Sequence, residues 1–207
     1  LDANSITFYG QYKLGQMTTW TQSGGQVDLT GALTVRTAND WQGQFDMTVE
    51  GGYGDGTNFN VGSLNLYTSP FNPATPSRLT ALLDNGGIEP INVGSAGITT
   101  LRDMELGVGA LGAATIGDIV GQHDFVIANG EINDANLTLV ELASLTDLGG
   151  SASYAIVGNN LGGQTLQVTV TALIPEPSTF VLASLGLLGL GAFPRRRRRY
   201  SCFSREA

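Results

Sequence analysis

The sequence predicts an all-β protein: an antiparallel β-sandwich or jelly-roll body followed by a single C-terminal hydrophobic helix. Three observations lead there. Apolar and polar residues alternate in three separate runs, the period-two signature of half-buried strands. Turn-forming clusters punctuate those runs, and Gly, at 29 of 207 residues, has about twice its usual share. A fourteen-residue stretch without charge, closed by arginines, stands near the C-terminus.

In chain order, the first clear strand sets Val27, Leu29, Gly31, Leu33 and Val35 on one face against Asp28, Thr30, Thr34 and Arg36. Phe45, Met47 and Val49 alternate likewise with Gln44, Asp46, Thr48 and Glu50. At Phe59, Val61, Leu64 and Leu66 the apolar phase slips by one residue across Gly62, which predicts a glycine bulge that bends the strand. Ser69 to Ser77 carries Pro70, Pro73 and Pro76 and reads as a loop, because proline cannot serve a central strand. Leu137 to Leu142 reads as a strand, although Asn136 to Asp147 also fits a short helix. The last run alternates Leu166, Val168, Val170 and Ala172 with Thr165, Gln167, Thr169 and Thr171. Phe45, Met47, Val49, Leu166, Val168 and Val170 are expected to face the core.

Between the runs lie Gly24-Gly25, Gly51 to Gly56, Asn85-Gly86-Gly87, Asn129-Gly130, Gly149-Gly150 and Asn159-Asn160, the residue types that tight turns favour. Roughly ten to thirteen short strands at intervals of about 8–12 residues suggest a sandwich or jelly-roll rather than a parallel α/β sheet. No internal repeat of fixed period is visible. Residues 1–174 are expected to form one extracellular domain.

Composition narrows the function. Charged residues are 14% of the chain, against about 25% in an average soluble domain. Of the 18 acidic residues all but Glu176 and Glu206 lie in residues 1–174, so sixteen face only Lys13, Arg36, Arg78 and Arg102 there, a net charge of −12. The other six arginines fall within the last 13 residues. Such a body disfavours nucleic acid, which needs clustered cations to neutralise phosphates. The one cysteine, Cys202, lies beyond the arginine run, so the body holds neither a disulfide scaffold nor a thiolate metal cluster. The chain starts at Leu1, which fits either a removed signal peptide or a fragment.

The tail has four parts in sequence. Pro175, Glu176 and Pro177, followed by Ser178 and Thr179, form a stiff extended linker (175–179). Phe180 to Phe193 comes next without a charge, then Pro194 and Arg195, Arg196, Arg197, Arg198 and Arg199. An apolar stretch stopped by cations reads as a membrane helix (180–193) whose basic tail (194–207) stays on the cytoplasmic side, in contact with membrane lipid. Fourteen helical residues span about 21 Å, short of a hydrocarbon core of roughly 30 Å. That makes a marginal anchor, suited to temporary retention.

This order of parts resembles the PEP-CTERM sorting signal over residues 174–199. The resemblance implies an exported protein that a membrane-embedded exosortase processes near the Pro-Glu-Pro element and passes to the cell surface. It also implies a setting of extracellular polysaccharide and biofilm. On this chain Pro175, Glu176 and Pro177 would be the recognised element, and Arg195 to Arg199 the stop-transfer cluster. Tyr200 to Ala207 extend past the point where family signals usually stop.

Little in the body points to chemistry. Gly107 to Gly112 matches G-x-G-x-x-G, but residues 115–121 are glycine-broken and β-like rather than the helix a dinucleotide site requires. Gly51 to Gly56 holds a single copy of a Gly/Asp turn, so no cofactor is expected beyond, at most, one Ca2+ near Asp55. His123, beside Asp124, has no Gly-x-Ser-x-Gly partner and is expected to be structural. Trp20, Trp41, Tyr9, Tyr12 and Tyr53 suit either core packing or a sugar-stacking platform, with packing preferred. Asn136-Leu137-Thr138 fits a glycosylation pattern without further support. The expected function is a non-enzymatic surface or matrix protein with a structural or adhesive role. A carbohydrate-binding module acting on extracellular polysaccharide is the alternative, and a secreted hydrolase comes third.

Overall fold

A computed structural model describes residues 2–3, 6–9, 17–36, 44–52, 58–68, 76–94 and 99–173. The chain divides into two units, Leu1–Leu173 and Ile174–Ala207. In the first unit the strands are β1 (Asp2–Ala3), β2 (Ile6–Tyr9), β3 (Met17–Gln22), β4 (Gln26–Arg36), β5 (Gln44–Glu50), β6 (Asn58–Tyr67), β7 (Arg78–Leu83), β8 (Ile91–Val93), β9 (Thr99–Arg102) and β10 (Glu105–Ala110). Helix α1 (Ile116–Ile119), β11 (Gly121–Ala128), β12 (Ile132–Asn133), β13 (Thr138–Glu141), α2 (Ala143–Thr146), β14 (Gly150–Gly158) and β15 (Gln164–Ala172) complete it.

The all-β expectation holds, but the strands are not wound as an antiparallel sandwich or jelly-roll. One sheet runs β13-β10-β7-β5-β3 with every neighbour parallel. The other is parallel along β1-β4-β6-β8-β11 and antiparallel only where β15 and β14 complete it. From β3 to β8 successive strands alternate between the two sheets, and each later return to the β3 sheet, at β10 and at β13, follows two strands in the other, so the chain coils. Register partners Met17↔Gln44, Asp46↔Arg78, Arg78↔Glu105 and Glu105↔Thr138 lie 27, 32, 27 and 33 residues apart. These unequal coils hide the repeat from a fixed-period reading.

The long strands β4 and β6 turn a corner and give the coil a third face. β8 pairs with Phe59–Val61, whereas β9 pairs with Leu64–Tyr67 and carries β12. The corner sits at Gly62, where the sequence places it, but the extra residue belongs to β4: Leu29 pairs Val61 and Ala32 pairs Ser63, so Thr30 and Gly31 oppose Gly62 alone. A Cβ on Gly62 would lie 2.4 Å from the Thr30 carbonyl oxygen. Only glycine permits that approach.

Stacked apolar columns fill the interior. Met47, Leu79 and Leu106 form one, Val27, Phe59, Ile91 and Val126 a second, and Leu33, Leu64, Thr99 and Ile132 a third; all are buried. The six residues expected inside, Phe45, Met47, Val49, Leu166, Val168 and Val170, are at most 1% exposed. Parallel pairing places like positions above one another, so each burial choice is repeated from coil to coil. The hairpin β14–β15 covers the last coil: Tyr154 donates its hydroxyl to the Leu137 carbonyl, and Ala152, Tyr154 and Ile156 pack on the core. Leu137 to Leu142 contains a strand, Thr138–Glu141, and the helical turn comes after it.

Candidate functional site

The outer faces of the coil are polar, and the parallel register lines their side chains into rows. Asp46, Arg78 and Glu105 stand side by side on β5, β7 and β10. The Arg78 guanidinium donates to Glu105 Oε2 from Nε at 2.8 Å and from Nη2. Asp46, half-buried, accepts from Thr80 Oγ1 at 3.5 Å. Burial pushes its carboxyl above the ordinary value, with Arg78 and the Thr80 hydroxyl pulling the other way. Such a row zips neighbouring coils together.

Beside it lie two glycines of the G-x-G-x-x-G match. Gly107 and Gly109 are outward-facing positions of β10 that neighbouring side chains cover. A Cβ at Gly107 would lie 2.9 Å from Thr80 Oγ1, and one at Gly109 would lie 2.7 Å from Ser144 Oγ. After Gly112, α1 is only four residues long. The spacing therefore serves packing of a strand, and the dinucleotide geometry of strand, loop and long helix does not form.

His123 sits on β11 with Nε2 2.8 Å from the Ile119 carbonyl, to which it donates. Asp124 accepts from Gln167 Nε2 at 2.7 Å. Asp118 caps α1, accepting from the backbone N–H and hydroxyl of Thr115 at 2.8 and 2.7 Å, bonds that hold its carboxyl below the ordinary value. Each group is thus committed to its own local bond. Among the described residues no three His, Cys, Asp or Glu side chains are grouped to hold a metal ion.

Of the candidate sugar-stacking residues, Trp20 turns inward, its ring centroid 5.6 Å from that of Phe59. Tyr9 lies on β2, while Tyr12, Trp41 and Tyr53 lie outside the described residues, as does Asp55, the residue considered for Ca2+. Asn136 takes a left-handed backbone (φ 59°) and donates its amide to Asp103 Oδ1 at 2.7 Å.

Two features escape the sequence. One is Asp84, whose Oδ1 accepts from the N–H groups of Gly52 and Gly86 at 2.9 and 2.7 Å and so ties two turns together. The other is a groove of about 490 Å³ beside the Gly62 corner, lined among others by Thr30, Asn60, Asn92, Gly94, Asn129 and Leu161. Asn60 donates to Asp28 Oδ1 at 2.7 Å, and Asn92 stands next to Asn60 in register. These residues lie about 30 apart in the chain, and only knowledge of the coil length would have joined them.

Pro175, Glu176 and Pro177, Phe180 to Phe193 and Arg195 to Arg199 lie outside the described residues. Among those described, no helix is long and apolar enough to cross a membrane. Strand β15 ends at Ala172, and the Leu173 N–H still bonds the Gly149 carbonyl at 2.7 Å. Neither the curated proteins nor the solved structures include a match to this chain. A family model does match, and it begins where the sheet stops. Residues 173–198 are a PEP-CTERM protein-sorting motif, the mark of an exported protein handed to an exosortase for delivery to the cell surface.

Proposed function

We propose that the body is a non-enzymatic structural or adhesive element of the extracellular matrix, delivered by its tail. The observation that carries this reading is the motif at residues 173–198, which adjoins the last strand of a folded β-coil. In this reading Phe180 to Phe193 halts in the cytoplasmic membrane with Arg195 to Arg199 inside, because carrying five guanidinium groups through hydrocarbon is prohibitive. The arginines gain attraction to anionic lipid. Pro175-Glu176-Pro177 then lies outside as an extended segment for the processing enzyme, and cutting there releases the anchor. The coil suits a structural role: its core repeats from rung to rung, and rows such as Asp46–Arg78–Glu105 join the rungs outside.

The groove at Thr30, Asn60, Asn92 and Asn129 supports a second reading, a carbohydrate-binding body in a polysaccharide matrix. Amide and hydroxyl groups along one groove suit a polyhydroxylated ligand. Mass spectrometry of protein recovered from producing cells tests the first reading. A mature C-terminus near residue 175 is expected, and a wild-type surface protein still ending at Ala207 refutes it. Binding to neutral oligosaccharides that disappears in Asn92→Leu would favour the second.

A further inference from the structure

A parallel coil leaves strands at its ends, and natural proteins keep such edges short, charged or covered. Among the described strands at sheet ends, β12 has two residues, β13 four and β3 six, whereas β14 has nine. From Gly149 to Asn160 there is neither a charge nor a proline. The body around it carries a net charge of −12 over residues 1–174.

The hydrogen-bond phase of β14 is settled by its two ends. The Leu173 N–H bonds the Gly149 carbonyl, and the Asn159 N–H bonds the Gly163 carbonyl. Strand pairs alternate between bonded and non-bonded positions, and the register runs unbroken from Gly150↔Ala172 to Gly158↔Gln164. Odd-numbered residues of β14 therefore bond β15. The peptide groups of Ala152, Tyr154, Ile156 and Gly158 point away from it. One is already capped: the Ala152 N–H donates to Glu141 Oε1 at 2.7 Å, and that bond with the one from Ser151 holds the Glu141 carboxyl below its ordinary value. The N–H groups of Tyr154, Ile156 and Gly158 have no hydrogen-bond acceptor among the described residues.

We propose that this open half of β14 pairs with the same strand of a second copy of the chain, joining two bodies through an antiparallel β-ladder across a two-fold axis. Three properties select a second copy. Donors and acceptors alternate along the edge, so a two-fold rotation sets each against its complement. The strip carries no charge, so self-pairing puts no like charges opposite one another, while the acidic surface around it repels approach by other routes. Ser153 and Ala155, both exposed, keep the outer face low enough for two backbones to meet. Because both partners are acidic, salt should strengthen the pairing, opposite to its effect on contacts between unlike charges.

Residue-resolved amide hydrogen exchange on the full chain in detergent micelles, at low and high protein concentration, tests this. Exchange at Tyr154, Ile156 and Gly158 should slow as concentration and then salt are raised. Ser153, Ala155 and Val157, bonded to β15, should be protected throughout and serve as internal controls. The double substitution Ser153→Lys/Ala155→Lys, at exposed positions, should abolish the concentration dependence and leave the controls protected. Exchange at the three amides that is independent of concentration and salt in the wild-type chain overturns the proposal. Association through the apolar tail would give that result, as would an edge kept for a different protein.

Discussion

Thr99 offers a direct measure of how strictly the coil sorts its interior. It lies in the column Leu33, Leu64, Thr99, Ile132, is 0% exposed, and its Oγ1 has no hydrogen-bond partner among the described residues. A buried hydroxyl left unpaired costs about 1–3 kcal/mol. Thr99→Val keeps the branched shape that suits a strand and replaces the hydroxyl by a methyl. The burden is removed, and about 0.8 kcal/mol of apolar burial is added. Net stabilisation of about 1–3 kcal/mol is expected after some loss to imperfect fit. For a body of this size each kcal/mol shifts the melting temperature by about 2–4 °C. Urea unfolding of residues 1–173, monitored by β-sheet circular dichroism, reads the change in midpoint at constant slope. A destabilised Thr99→Val variant would refute the reasoning, since it would mean that the hydroxyl makes a bond worth more than its burial costs.

The same structure sets three further outcomes. Gly62→Ala should destabilise by about 1–3 kcal/mol, because its Cβ meets the Thr30 backbone at 2.4 Å and overpacking costs that much; Gly158→Ala, with open space, should be neutral or slightly stabilising in the same urea assay. Val168→Asp should unfold the body, whereas Thr169→Asp should be mild, since Val168 is 0% exposed and Thr169 faces outward; equal midpoints would contradict the strand phase. Burial raises the Asp46 carboxyl in the folded state above its unfolded value near 3.8, so the native state holds its proton longer and stability is lost as pH rises through that interval. Asp46→Asn should therefore stabilise the fold at pH 7, by less than about 1 kcal/mol at this half-exposed site, and thermal melts should show the gain disappearing below the unfolded value.

Local patterns in the sequence determined a good deal. Alternation placed Phe45, Met47, Val49, Leu166, Val168 and Val170 inside, and the phase slip across Gly62 located the corner, because side-chain direction in a strand depends only on the parity of neighbouring residues. The tail was legible for a related reason. Pro-Glu-Pro, an uncharged stretch and five arginines are contiguous, so their meaning does not wait for folding. Strand direction was decided only by the tertiary structure. Alternating polarity ordinarily signals antiparallel sheets, since parallel sheets are usually covered on both faces. A coil escapes that rule: its parallel sheets pack inner face to inner face and leave the outer faces wet, so Asp46, Thr48 and Glu50 alternate as they would in a hairpin. What distinguishes the two arrangements is the partner, which here lies 27 to 33 residues away along the first face. The row of Arg78 and Glu105, the groove at Asn60 and Asn92 and the open edge of β14 all depend on that long-range register. Parity is local and can be read along the chain, whereas pairing is a contact between distant segments and exists only once the coil has closed.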